Sequence, residues 1–232
     1  MNHELRFCAS RSSHRVDIEF IYQGLHEFPT KLKTTLEGAL NCVDTTKFNY
    51  ILLNYGLCGN GTLNISHPKI PIVIHNVHDC MPLLIGSDDL HREYMLKRPG
   101  TFWFSVGWIE GFPLPGSPDY VEKYIEFYNT IIDDKQRDTI ERMLMENYSY
   151  LTFVRWNELG KKVAEHGGAY THECVNSINK RLGFNLKYDE VRGSPEKIQR
   201  FVDGEWNTDE FLIIEPGQTL RFDALKSSLY VE

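Results

Sequence analysis

Two stretches of this sequence place a cysteine beside glycine, histidine or aspartate, residue types that suit metal chemistry. Cys58 lies within YGLCGNG (Tyr55–Gly61), and Cys80 ends the triplet HDC, which begins at His78. Each stretch follows a strongly apolar run that predicts a buried strand. Cysteine thiolates bind zinc and hold iron–sulfur clusters. The two stretches therefore indicate a metal site, with cysteines supplied from the ends of neighbouring strands.

Cys8 is the third candidate ligand, because the short apolar stretch Leu5–Phe7 before it also predicts a strand. In open α/β sheets, functional groups gather beyond the carboxyl ends of the strands. If the three strands are neighbours, Cys8, Cys58 and Cys80 converge there and can hold one metal. Plain burial is the alternative, since cysteine often packs as a small hydrophobe, and the sequence has no CxxC pair of the zinc-ribbon type.

Polar residues and glycines near these cysteines are candidates for supporting roles. His78 is predicted to be a fourth ligand or a general acid–base group, which Asp79 would orient. His26 follows a strand-like run and is predicted to face the same crevice. Glycines let a loop turn tightly and approach a ligand closely. The candidate cofactor-binding residues of the YGLCGNG loop are Gly56, Gly59, Asn60 and Gly61.

The remaining cysteines and histidines are predicted to take no part in this site. Cys42 lies near the end of an amphipathic helix and Cys174 lies inside another, so burial is expected for both. His75 is expected to point away from the crevice or into packing. The GNG tripeptide lacks the lysine and hydroxyl of a phosphate-binding P-loop, which ranks nucleotide binding below metal binding. The histidines expected to be solvated are His3, His14, His67, His91 and His166.

Composition is that of an ordinary folded protein and argues against several functions. The 232 residues are 41% hydrophobic and 25% charged. A net charge of -7 without a basic stripe argues against a nucleic-acid partner. No apolar stretch is long enough to span a membrane, and the start lacks the features of a signal peptide. The expected location is the cytoplasm, where thiols stay reduced and a disulfide framework is not expected.

Short apolar strands alternate with amphipathic helices along the chain. This alternation predicts an α/β fold with a mainly parallel sheet flanked by helices, and a metal or ligand site at the carboxyl ends of the strands. A single domain over residues 1–232 is expected, with a helical segment around 117–147 packed on it. The predicted strands are Leu5–Phe7, Val16–Tyr22, Phe48–Asn54, Ile70–Asn76, Thr101–Trp108, Leu151–Trp156, Asn185–Val191 and Glu210–Gly217.

The segment Gly111–Asp119 is predicted to be a loop, because it has three prolines in nine residues. Long loops over a crevice often act as lids. We therefore expect this loop to border the cysteine site, with Trp103 or Trp108 lining the pocket.

Several motifs together resemble a known family. The chain is similar to the bacterial and archaeal family called domain of unknown function 1638, whose members carry an early cysteine where Cys8 stands. They usually follow that cysteine with glycine or glutamate, where this chain has Ala9 and Ser10. Members often sit among genes for corrinoid-dependent methyl transfer in anaerobes, and the resemblance implies a link to that chemistry. The matching motifs are QGLHEFP (Gln23–Pro29), YGLCGNG (Tyr55–Gly61), HDCMPLLIGS (His78–Ser87), PGTFWFSVGW (Pro99–Trp108) and GEWNTDEFLIIEPG (Gly204–Gly217).

Two kinds of metal centre suit three thiolates. Zinc held by three thiolates can keep a position open, where a substrate thiol binds and loses its proton. A [4Fe-4S] cluster held by only three cysteines has one iron open to a substrate as a Lewis acid. Zinc is the preferred assignment, because the association implied by the resemblance favours methyl-group chemistry and His78 is available as a fourth ligand.

The expected function is that of a cytoplasmic metalloenzyme acting on a small molecule in methyl-group or one-carbon, corrinoid-linked metabolism. The reaction class is a metal-dependent transferase of methyl or thiol chemistry, or a lyase. Three other functions stay open: an iron–sulfur enzyme, a non-catalytic metal or corrinoid accessory protein, and a small-ligand binding protein with structural cysteines. Expected partners are a small-molecule substrate and a corrinoid protein, with no nucleic acid and no membrane. A homo-oligomer is compatible with the sequence.

Overall fold

The structure, a computed structural model, describes residues 1–57, 59–122, 126, 134–206, 209–225 and 228–232. The chain divides into two compact units. Unit 1 comprises Met1–Phe7 and Ser87–Pro195, and unit 2 comprises Cys8–Gly86 and Glu196–Glu232. The expectation of one single domain stays a prediction.

Helices and short strands alternate along most of the described chain. The α-helices are α1 (Asn2–Arg11), α2 (Pro29–Asn41), α3 (Met81–Ile85), α4 (Asp88–Lys97), α5 (Val106–Gly111), α6 (Asp134–Met145), α7 (Lys161–Leu182) and α8 (Glu196–Val202). The strands are β1 (Ile51–Leu53), β2 (Ile72–His75), β3 (Thr101–Phe104), β4 (Tyr150–Arg155), β5 (Lys187–Arg192), β6 (Phe211–Ile214), β7 (Leu220–Asp223) and β8 (Ser228–Val231). Short 3₁₀ helices span Gln23–Glu27 and Asn157–Leu159.

Unit 1 is built on a parallel sheet of strand order β3-β4-β5. The central strand β4 is buried at four successive residues, as expected for a parallel strand covered on both faces. The long helix α7 packs against β4 and β5, and Gly167 lets it approach the Phe153 ring closely. The core of this unit includes Phe104, Leu151, Phe153, Val175 and Ile178.

Unit 2 is built on a mixed sheet of order β1-β2-β6, in which β1 and β2 are parallel and β6 is antiparallel to β2. A two-stranded hairpin, β7-β8, completes its strands. Helix α2 presents Leu32, Leu36 and Leu40 to the core at the four-residue spacing of one helix face. These leucines join a cluster that includes Ile72 and Ile74 of β2.

The predicted α/β class is confirmed, with a parallel three-stranded sheet flanked by helices in unit 1. The ligand site at the carboxyl ends of the strands is a separate expectation and stays a prediction. None of the helices in the described residues is long and apolar enough to cross a membrane. Of the helical segment expected around 117–147, α6 is described, whereas residues 123–125 and 127–133 lie outside the described residues.

Two strands predicted near the start of the chain are wrong. Leu5–Phe7 belongs to helix α1. A short apolar run cannot be told from a helix by periodicity alone, and the buried residues here, Glu4 and Cys8, have helical spacing. Val16–Tyr22 alternates as a strand would, yet it forms no strand in the structure. A strand also needs a neighbour for its backbone, which alternation alone does not supply.

Two further differences concern strand ends and missed strands. The strand predicted over Thr101–Trp108 ends at Phe104, because the Ser105 hydroxyl accepts a hydrogen bond from the Trp108 amide and caps helix α5. Strands β7 and β8 were not predicted. Each is only four residues long, and β7 has isolated apolar residues instead of the apolar run that marked the equally short β2 and β6.

Candidate metal centre

The loops that carry the YGLCGNG and HDC motifs are in direct contact. Strands β1 and β2 are parallel, with Leu53 opposite Ile74, so both loops leave the same edge of the sheet. The Leu57 amide donates a hydrogen bond to the Val77 carbonyl oxygen at 2.9 Å. A Cβ atom on Gly56 would lie 2.6 Å from that same oxygen, so only glycine allows this approach.

A buried pair of side chains joins the starts of these two loops. Asn54 follows β1, His75 ends β2, and the His75 Nε2 atom donates to the Asn54 Oδ1 atom at 2.9 Å. The His75 ring is only 1% exposed and lies against the Phe201 ring, with ring centroids 4.1 Å apart and the ring planes tilted by 35°. Burial, with a smaller contribution from Lys197, lowers the pKa of His75 to about 3. His75 is therefore neutral near pH 7, and its ring N–H donates the hydrogen bond that holds the Asn54 side chain.

This pair was missed at the level of sequence, where His75 was expected only to point away from the crevice or to pack. The packing is present, but the contact with Asn54 depends on the register of β1 against β2. The available signal was a polar residue at the end of each of two apolar runs. Polar side chains at neighbouring strand ends must find partners when they are buried.

The HDC triplet forms the turn that opens helix α3. The Asp79 Oδ1 atom accepts a hydrogen bond from the Met81 amide at 2.7 Å, and Cys80 is the N-cap residue. Cys80 is partly exposed, whereas His78 and Asp79 are exposed. The His78 ring lies edge-on to the Phe222 ring at 5.5 Å. Cys80 and His78 are thus at least partly in contact with solvent. Orientation of His78 by Asp79 stays a prediction.

Cys8 does not lie at a strand end, as the sequence suggested, but in helix α1, where it is 0% exposed. Its carbonyl oxygen accepts a hydrogen bond from the Gln199 Nε2 atom at 3.2 Å. Gln199 belongs to α8, and α8 packs against α3, the helix that begins after Cys80. Cys8 is thus connected to the HDC turn through helix packing. Its role as a ligand stays a prediction.

His26 lies in a 3₁₀ helix, where its Nδ1 atom donates to the Gln23 carbonyl oxygen at 2.6 Å. A Cβ atom on Gly59 would lie 4.0 Å from the His26 carbonyl oxygen, so this segment borders the YGLCGNG loop. Gly59 and Asn60 both have left-handed backbones, with φ of 62° and 73°. The buried Thr62 hydroxyl donates to the Gly56 carbonyl oxygen at 3.0 Å and closes the loop just past Gly61.

A buried cation lies close to this region and had no sequence signal. The Lys197 Nζ atom is 3.3 Å from Glu210, which also binds Arg200. Lys197 is buried, and its charge contributes to the lowered pKa of His75. An isolated charge would be costly there, so the Glu210 carboxylate is needed as its partner.

The other sequence expectations have mixed outcomes. Cys174 is buried in α7 as predicted, whereas Cys42 is exposed because it caps the end of α2. His67 was expected to be solvated but is buried, and its Nδ1 atom accepts hydrogen bonds from the Lys69 and Ile70 amides. The turn after His67 uses the ring nitrogen to satisfy these two backbone amides, and this places the His67 ring in the interior of the protein.

Comparison with known proteins gives one family. The chain matches the model of a family described as protein of unknown function (DUF1638) over residues 20–202. It belongs to this family. The DUF1638 match covers His26 and both motif loops, whereas Cys8 and Gly204–Gly217 lie outside it. No curated protein and no solved structure matches the chain.

A thiolate-bound metal in this DUF1638 chain would require the two motif cysteines to lie close together. Cys80 is partly exposed, and its loop touches the loop that carries Cys58. Cys58 itself lies outside the described residues. Among the residues that are described, no group of three or more His, Cys, Asp or Glu side chains could hold a metal ion. The three-thiolate centre therefore depends on Cys58 and stays a prediction.

Proposed function

We propose that this DUF1638 protein is a metalloenzyme in which the thiolates of Cys8, Cys58 and Cys80 hold zinc. The observation that carries the proposal is the hydrogen bond from the Leu57 amide to the Val77 carbonyl oxygen. It joins the residue before Cys58 to the residue before the HDC triplet. Two motif loops that meet through their backbones, each with a cysteine, suit a shared ligand better than two unrelated packing roles.

Some residues of the chain would bind the metal, and another would transfer protons. The three thiolates would supply soft donors, and the Asn54–His75 pair would keep both loops in register. His78 is exposed, so one of its ring nitrogens could accept a proton from an incoming substrate or return one to the product. When bound, zinc with an open position would supply Lewis acidity toward a substrate thiol.

We place this activity in the cytoplasm and in methyl-group or one-carbon metabolism, with a small-molecule substrate and a corrinoid protein as partner. The family resemblance supports this setting, because it supplies the link to corrinoid-dependent methyl transfer.

Metal analysis of anaerobically purified protein tests the proposal. Wild-type protein should be colourless and contain one zinc per chain. Cys58→Ser and Cys80→Ser should each lose most of it, because a hydroxyl is a poor partner for a soft metal site. Cys42→Ser is the matched control: its thiol is exposed at the end of α2, and the variant should keep its metal. Full zinc content in both Cys58→Ser and Cys80→Ser would refute the proposal. Visible absorption together with bound iron would instead identify the metal centre as an iron–sulfur cluster.

A further inference from the structure

Unit 1 contains a cavity of about 330 Å³ that has no part in the metal proposal. It lies between the end of helix α5, the loop Gly111–Asp119 and Tyr170 of helix α7. Its size is at the lower end of the range for small-molecule sites. The sequence predicted this loop to be a lid with Trp103 or Trp108 in the pocket wall. Neither tryptophan is among the described residues that line this cavity.

The loop wall of the cavity is held in place by specific contacts. Gly116 has a φ of 85°, and a Cβ atom there would lie 2.5 Å from the Cys174 carbonyl oxygen, so the loop lies directly against α7. The Gly116 amide donates to the buried carboxylate of Glu141 at 3.0 Å, and Arg181 binds that same carboxylate. Prolines on both sides of Gly116 restrict the backbone further. The cavity is therefore preformed.

Three polar groups meet at one side of the cavity. Burial raises the pKa of Tyr170, and Cys174, Ser117 and Asp119 are all close enough to influence it. The Tyr170 phenol consequently keeps its proton at neutral pH. The Ser117 Oγ atom is buried beside it, and its hydroxyl donates toward the phenol oxygen, an interaction that lowers the pKa of Tyr170 against the larger effect of burial. A hydroxyl that donates in this way keeps its oxygen lone pairs for the N–H groups of a ligand.

The charge of the lining selects the kind of ligand. Glu110 and Asp119 contribute carboxylates, and the described lining residues include no lysine, arginine or histidine. His3 binds one oxygen of Glu110 at 2.5 Å, which leaves the other for a ligand. Ile109 and Phe112 supply apolar surface. An anion would be repelled here, whereas a cation with an apolar body would satisfy both kinds of surface.

We propose that this cavity binds a small organic ammonium ion, with its N–H groups donating to Asp119 and Ser117 and its carbon chain lying against Ile109 and Phe112. The Tyr170 ring closes the third side. This site rests on the cavity and its polar groups alone, so it does not depend on a metal in unit 2.

Proton NMR titration with three probes of equal shape tests the proposal: n-butylammonium, 1-butanol and butyrate. Butylammonium should broaden and shift saturably in the millimolar range, whereas the other two should not. Asp119→Asn should weaken binding about tenfold, as expected for one charge-assisted hydrogen bond at a partly exposed site. Glu173→Gln is the matched control. It removes a carboxylate from the exposed face of α7, outside the cavity, and should leave the affinity unchanged.

Any one of the following results would overturn the proposal. Equal binding of butyrate or butanol would show that the carboxylates do not select the ligand. Unchanged affinity in Asp119→Asn, or equal losses in Asp119→Asn and Glu173→Gln, would place the cation elsewhere. Absence of saturable butylammonium binding to the wild type would remove the site. Asp119 is exposed, so its variant is expected to fold, and a thermal melt superimposable on that of the wild type verifies this.

Discussion

The two units use parallel strands in different ways. In unit 2, β1 and β2 have three and four residues, and polar contacts lie beyond their ends, in Asn54–His75 and Leu57–Val77. In unit 1, β4 and β5 pair over six residues, and the Tyr94 hydroxyl of α4 bonds to Thr152 and Asp189 on the strands themselves. Polar groups thus position loops in unit 2 and fasten a helix onto the sheet in unit 1.

This difference agrees with the places proposed for the two ligand sites. Loops that leave a sheet edge can bring side chains from distant parts of the sequence together, which suits a metal site. A helix fastened across a sheet leaves little room at that surface, and the cavity of unit 1 lies instead where α5 and its loop meet α7. Substitutions at the loop contacts of unit 2 should therefore have larger effects than those on the sheet of unit 1.

The largest effect is expected for Gly56→Ala. The added Cβ atom would lie 2.6 Å from a backbone oxygen, which cannot move without separating the two motif loops. The free energy of unfolding should fall by about 3 kcal/mol, measured by urea denaturation, and metal content should fall with it.

Gly38→Ala is the control in the same unit. Nothing lies within 4 Å of its Cβ position, so this variant of helix α2 should gain about 0.5–1 kcal/mol. A cost at Gly56 below about 1 kcal/mol would mean that the loops are not tightly joined.

A smaller effect with a distinct pH dependence is expected at His75. Its pKa is about 3 in the folded protein, against 6.5 in the unfolded chain. The unfolded state therefore binds the proton more readily, and stability should decline as the pH falls from about 6.5 toward about 3. Wild-type protein should lose about 2 kcal/mol more than His75→Gln between about pH 6 and about pH 4. Parallel stability curves for the two proteins would contradict the neutral, buried state of His75.

The smallest effect is expected in unit 1, for Tyr94→Phe. This change removes one hydroxyl that bonds to Thr152 and Asp189, while Arg98 continues to bind Asp189. The free energy of unfolding should fall by about 1.5 kcal/mol, and metal content should stay the same. Tyr230→Phe, which removes a hydroxyl from an exposed ring, should cost almost nothing. A loss at Tyr94 as large as that at Gly56 would break the comparison between the units.

The sequence predicts elements well where a pattern is long and local. The α/β class and the strands before both motif loops were predicted, because apolar runs followed by glycine or aspartate mark a strand and its turn. Cys8 was misassigned, since three apolar residues do not separate a strand from a helix. The Asn54–His75 pair and the Lys197–Glu210 pair each join residues from two different elements, and no local pattern indicates such contacts.

The cavity of unit 1 shows the same limit in another way. The prolines of Gly111–Asp119 predict a loop, but the side that closes the cavity comes from Tyr170, on a helix much later in the chain. The contact depends on Gly116 lying against Cys174, a residue that sequence reasoning assigned to burial alone. Packing of distant segments, which the sequence does not encode locally, creates this space.

X-ray absorption spectroscopy of the anaerobically purified wild-type protein at the zinc edge tests the central claim most directly, because it counts the atoms bound to the metal. Convergence of Cys8, Cys58 and Cys80 predicts about three sulfur neighbours at about 2.3 Å, with one nitrogen or oxygen completing the shell. In any Cys80→Ser protein that retains zinc, the spectrum should show one fewer sulfur atom bound to the metal. A first shell of nitrogen and oxygen only, or a wild-type protein without metal, would contradict the account.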